Sequence, residues 1–190
     1  MKNFKILALA LVTIVSLSSC SNDDSTAAPV NEEEVLTTVT ATFTPVAGGA
    51  PIVLMSRDLD GDGPAAPVVT VSGNFTAGAN YTGAVTFLNE TTTPVTNTTL
   101  EIQEESLDHQ LFFQQSGLGT FAYADADADA NGHPVGLSFT YKAAAAPVTG
   151  NLTITLRHLP NKSGVNVPAG DITNAGGGTD AEVTFAVTVQ

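Results

Sequence analysis

The chain has 190 residues, with six Lys and Arg against 19 Asp and Glu, one Cys and no Trp. A formal charge of −13 on so few basic residues excludes any partner held by a basic patch, so no nucleic acid is expected. A single cysteine excludes a disulfide framework and a Cys-rich zinc module, and 43% hydrophobic residues are too many for a disordered acidic chain.

Lys2 and Lys5 precede an apolar run from Ile6 to Leu17, which is followed by Ser18, Ser19 and Cys20. The run is shorter than the roughly 20 residues a membrane-spanning helix needs, so it reads as an export signal. Leu17-Ser18-Ser19-Cys20 resembles the lipobox of bacterial lipoproteins. That resemblance implies a signal peptide over 1–19, lipidation of Cys20 and attachment to a membrane through the lipid. Ser21 rather than Asp follows the cysteine, and Asn22-Asp23-Asp24 is similar to the acidic tag of surface-exported lipoproteins in some Gram-negative bacteria. The implied address is the outer membrane, on its periplasmic or cell-surface face. Removing the signal leaves four basic against nineteen acidic residues, a balance of −15.

Residues 20–34 offer little to bury and read as a flexible acidic tether, closed by the charge run Glu32-Glu33-Glu34. From Val35 the pattern changes to period two: Val35, Thr37, Val39, Ala41 and Phe43 alternate with Leu36 and four threonines. Strands are predicted at 35–44, 51–55, 68–75, 81–88, 99–103, 109–114, 120–123, 135–141, 151–157 and 182–189. Turn residues such as Gly48-Gly49, Gly78, Asn131-Gly132 and Gly176-Gly177-Gly178 separate them. No segment shows a helical period over three turns. The expected fold is all-β: one immunoglobulin-like two-sheet β-sandwich of about eight to ten antiparallel strands over residues 35–190.

Fifteen of the nineteen acids fall in a few short runs, and the strands are nearly free of charge. Asp58-Leu59-Asp60-Gly61-Asp62-Gly63 fits the first half of a D-x-D-x-D-G calcium loop, in which alternate carboxylates point to one side and glycine permits the turn. Asp127-Ala128-Asp129-Ala130-Asn131-Gly132, preceded by Asp125, fits the same template. Both segments resemble the calcium loops of EF-hands and related extracellular modules. The twelfth-position Glu is missing from both, with Val69 and Ser138 in its place, and no flanking helices are expected, so an EF-hand is rejected. Asp58, Asp60, Asp62, Asp125, Asp127, Asp129 and Asn131 are therefore the candidate calcium ligands, set against the plainer possibility of acidic turns.

His109 opens one predicted strand and His158 closes another, so antiparallel pairing would bring both imidazoles to one end of the sandwich. Imidazoles with nearby carboxylates such as Glu104, Glu105 and Asp108 suit copper or zinc. Enzyme motifs fail: Gly117-Leu118-Gly119-Thr120-Phe121-Ala122 lacks a βαβ context, and Glu104-Glu105, adjacent on a predicted strand, would point to opposite faces. The leading expectation is a non-enzymatic, lipid-anchored binding or structural module with calcium-stabilised loops. Alternatives are a transition-metal-binding lipoprotein using His109 and His158, and a carbohydrate-binding surface module, which the absence of Trp disfavours. Its ligand (a protein, a glycan or a metal) is not legible in the sequence.

Overall fold

The computed structural model describes residues 34–61, 63–124 and 128–190, which belong to one compact unit running from Glu33 to Gln190. Among the described residues, nine strands form two antiparallel sheets stacked as a sandwich. One sheet contains β1 (Thr38–Pro45), β2 (Ile52–Arg57), β3 (Val68–Val71), β4 (Asn80–Leu88), β6 (Gly119–Tyr123) and β7 (Ser138–Ala143), in the order β3-β2-β1-β4-β7-β6. The other contains β5 (His109–Gln115), β8 (Val148–His158) and β9 (Gly178–Val189), in the order β5-β8-β9. The expected all-β sandwich is what forms.

Period two sets the faces. Val39, Ala41 and Phe43 of β1 and Tyr81, Val85 and Phe87 of β4 are buried against Leu152, Ile154, Leu156, Phe185 and Val187 of the smaller sheet. Phe43 is the hub, meeting Phe75, Phe139 and Tyr141 edge-on at centroid distances of 4.9, 5.1 and 5.6 Å. Gly83 lies opposite Phe139 in the β4–β7 register, and a Cβ there would come within 2.1 Å of that ring. Glycine in mid-strand thus makes room for the core phenylalanine. Beyond β3, Phe75 donates to Thr188 O and accepts from Gln190 N, closing one side of the sandwich.

Two features depart from the predicted elements. Residues predicted as a strand at 99–103 instead form a short helix, α1 (Thr98–Glu104). The Asn97 side chain accepts from Thr99 N at its start, and Thr98 and Ile102, four residues apart, are its buried residues. The run Leu100-Glu101-Ile102 alternates like a strand, but Leu100 is exposed, so only the helical spacing meets the core. Second, β5 is buried on both faces. Its inward residues His109 and Leu111 face the sandwich, while Gln110 and Phe112 are covered by the β8–β9 connection. That connection carries two short 3₁₀ turns, Val167–Ala169 and Ile172–Asn174; Val167 and Ala175 pack on Phe112, and Gln110 Nε2 donates to Val167 O at 2.8 Å.

Arg57 at the end of β2 grips Glu90 bidentately, with Nε and Nη2 at 2.8 and 2.6 Å from its two oxygens, and the Thr38 hydroxyl also donates to Glu90. Arg57 above all, then Thr38, hold the Glu90 carboxyl down at about 2. A carboxyl depressed on folding stabilises the protein above its unfolded value of about 4.3, and that contribution is lost as the pH falls towards 2. Melting temperature measured from pH 5 to pH 2 is accordingly expected to fall less steeply for Glu90→Gln than for the parent chain. Identical slopes would show that the pair does not report on folding.

Candidate metal centre

His109 is the first residue of β5 and His158 the last of β8, and the two are register partners. The antiparallel pairing expected from the sequence brings them together with ring centroids 4.7 Å apart. A third group joins them from β9. The β8–β9 ladder pairs Leu156 with Ala181 but Arg157 with Thr179, so Asp180 is the extra residue of a β-bulge. A bulge turns a side chain that would alternate outward onto the face of its neighbour. Asp180 therefore faces inward with Ala181, its Oδ1 3.6 Å from His158 Nδ1 and its Oδ2 3.4 Å from His109 Nε2.

Glu34, placed by the sequence at the end of the tether, contributes from the opposite side. Its Oε1 lies 3.6 Å from His109 Nε2. The side chains of His109, Asp180, Glu34 and His158 are 0, 2, 7 and 11% exposed. Yet His109 Nε2, His158 Nδ1, Asp180 Oδ2 and both Glu34 oxygens are buried without a hydrogen-bond partner. Leaving such groups unpaired costs about 1–3 kcal/mol each, more when charged. Burial pushes the Glu34 carboxyl up to about 7; the His109 charge opposes this and the Glu101, Asp180 and Glu105 charges add to it. Burial lowers the His109 pKa, but the Asp180 and Glu34 carboxylates and the Glu105 carbonyl outweigh it, so the net shift is upward.

The outer contacts orient the donors. His109 Nδ1 lies 3.2 Å from the Glu105 carbonyl, to which it donates when protonated, leaving the Nε2 lone pair pointed into the cluster. Glu105 Oε2 lies 4.0 Å from the same Nδ1. After His158 the chain turns sharply: Leu159 has φ of 51°, unusual for a bulky residue, and its N–H donates to Asp108 O at 2.6 Å. Gly177 passes over the turn so closely that a Cβ would lie 2.2 Å from His158 O.

Two imidazoles and two carboxylates are a donor set for zinc, copper(II) or a related divalent ion, and nitrogen donors disfavour calcium and magnesium. Bonds of about 2.0 Å in a tetrahedron place neighbouring donor atoms about 3.3 Å apart. His109 Nε2 to Asp180 Oδ2 and to Glu34 Oε1, at 3.4 and 3.6 Å, and His158 Nδ1 to Asp180 Oδ1, at 3.6 Å, come close to that length. His109, His158 and Asp180 each offer a donor atom within 4.8 Å of the others, and Glu34 and Glu105 group in the same way around His109.

The acidic loops fall only partly within the described residues. Asp62, Asp125 and Asp127 lie outside the described residues, as does Cys20. Asp58 Oδ1 accepts from Gly61 N and Asp60 Oδ2 from Ala65 N, so both carboxylates cap their own turn. Asp129 is buried; its Oδ1 accepts from the N–H groups of Asn131 and His133, and its Oδ2 lies 2.9 Å from Lys162 Nζ. Burial raises the Asp129 carboxyl, but Lys162 and the two N–H groups more than offset this and hold it below the usual range. Lys162, itself 5% exposed, also donates to Ser106 O at 2.7 Å. The cation beside the Asp129 carboxylate is thus the Lys162 ammonium, reaching in from the β8–β9 connection.

A cleft of about 260 Å³ opens between β5 and β6 and includes Phe113, Phe121 and Tyr123 in its lining. Phe121 stacks on Phe113 at 4.9 Å and on Tyr141 at 4.6 Å, so its ring has aromatic partners rather than a free platform for a sugar.

The sequence singled out the two histidines but missed Asp180 and the part played by Glu34. Asp180 and Glu182 are the two acids of an otherwise uncharged strand, and nothing local marks Asp180 as the one a bulge turns inward. Comparisons with protein-family models, curated proteins and solved structures return no match to this chain.

Proposed function

We propose that this chain is a lipid-anchored, cell-envelope β-sandwich that binds one divalent transition-metal ion, zinc foremost, through His109, His158, Asp180 and Glu34. The observation that carries it is the buried set of donor atoms without hydrogen-bond partners, in which His109, His158 and Asp180 each offer an atom within 4.8 Å of the others and Glu34 lies 3.6 Å from His109 Nε2. Two neutral imidazoles and two carboxylates neutralise a divalent ion, which removes the cost of burying those carboxylates unpaired. Four protein donors fill a tetrahedral shell, which favours binding the ion over catalysis at it. The anchor rests on Leu17-Ser18-Ser19-Cys20, and Cys20→Ser is expected to move the protein from the membrane to the soluble fraction.

The test is equilibrium dialysis of the purified full chain against zinc in the presence of millimolar calcium and magnesium, followed by elemental analysis. One zinc per chain is expected, with none retained by the His109→Ala/His158→Ala double variant. Zinc displaced by calcium, or zinc retained by the double variant, would overturn the assignment.

A further inference from the structure

The four donors are not held alike. His109, His158 and Asp180 sit on three adjacent strands whose relative positions are set by the backbone ladder of β5, β8 and β9. Glu34 belongs to neither sheet. The chain after it is first tied to a sheet at Thr37, whose N–H donates to Leu88 O at 2.9 Å. Between them, Val35 is 56% exposed and Leu36 packs on the core only in part. Rotation about a few bonds at residues 34–36 moves the Glu34 backbone and carboxylate without disturbing any ladder hydrogen bond, whereas the backbones that carry the other three are held in β5, β8 and β9.

The energetics are also one-sided. Both Glu34 oxygens are buried without a hydrogen-bond partner, so without a metal ion the inward position leaves the carboxylate desolvated with only the His109 ring, 3.6 Å away, to offset the loss of water. With a divalent ion on the three sheet donors, the same position gains a metal–oxygen bond. The ion's differential interaction with the two positions is what shifts the population.

We propose, building on the metal-binding function above, that Glu34 is the detachable ligand of the centre, so that the ion is exchangeable cargo and not a permanent structural staple. The ion first meets a fixed face of His109, His158 and Asp180; Glu34 then closes over it as the fourth donor, and release begins with Glu34 swinging away.

The test uses the zinc-loaded full chain mixed with an excess of a chromogenic chelator, with release followed as a rate. Glu34→Gln and Glu34→Ala are each expected to speed release by about tenfold or more while changing the loading rate by less than about threefold, since a lost bond in the closed state appears chiefly in the off-rate. In the parent chain, amide exchange over residues 34–37 is expected to slow on zinc loading. Release from both Glu34 variants at the parent rate, or exchange of 34–37 indifferent to zinc, would overturn the detachable ligand. Zinc binding that still depends on His109 and His158 would then leave the centre itself standing. A parent chain that binds no zinc would sink both proposals.

Discussion

In chelator, Asp180→Leu is expected to melt above the parent chain; in zinc, the order reverses. Asp180 is 2% exposed with one oxygen unpaired, and it sits between two imidazoles whose facing nitrogens are also unpaired. Replacing a buried, poorly compensated charged group by an apolar one of similar size is commonly neutral or stabilising by about 1–4 kcal/mol. Zinc acts on the parent in the opposite sense. An ion that binds only the folded state adds about 2.7 kcal/mol at a free concentration a hundred times its Kd, or about 5–10 °C in Tm for a domain of this length. Asp180→Leu removes one donor and misses most of that gain. Thermal melts of both proteins in chelator and in micromolar zinc decide the matter. If the parent is the more stable protein in both, the cluster is an ordinary structural network and the metal assignment loses its energetic basis.

The second large effect concerns Lys162. Its ammonium pairs with the buried Asp129 carboxylate and donates to Ser106 O, tying together the 128–133 loop, the α1–β5 connection and the β8–β9 connection. Lys162→Met leaves the carboxylate buried without its cation, and a loss of about 3–5 kcal/mol is expected in a urea melt. Removing both charges, as in Asp129→Leu/Lys162→Met, restores most of that loss. The Lys162→Met protein is also expected to acquire a calcium-dependent rise in Tm that the parent lacks, because the buried Asp129 carboxylate is then left without a cation. A parent chain already stabilised there by calcium, with no change in Lys162→Met, would show that lysine is not the loop's cation.

The two kinds of site separate what a local pattern can and cannot tell. Asp58, Asp60 and Asp129 stand at calcium spacing, and spacing along one loop is a local property that can be read directly. Whether a carboxylate at that spacing is free depends on what reaches it through space. Lys162 is 33 residues from Asp129 in the chain, and nothing near either residue announces the other. The histidines were legible for a different reason: each ends a strand, and antiparallel pairing of those strands puts strand ends side by side.

From the sequence alone come the all-β class, the alternating faces and most strand positions, because period-two burial is imposed residue by residue along each strand. The export signal and lipobox expectation are likewise local, resting on residues 1–20. Only the tertiary structure decided which strands share a sheet, that α1 is a helix, and which polar groups are left buried without partners. The bulge at Asp180 depends on the β8–β9 register, and the burial of Glu34 on how the chain enters β1. A metal centre needs donor atoms within a few ångströms of one another, and that proximity is a property of the folded ladder and not of any one segment.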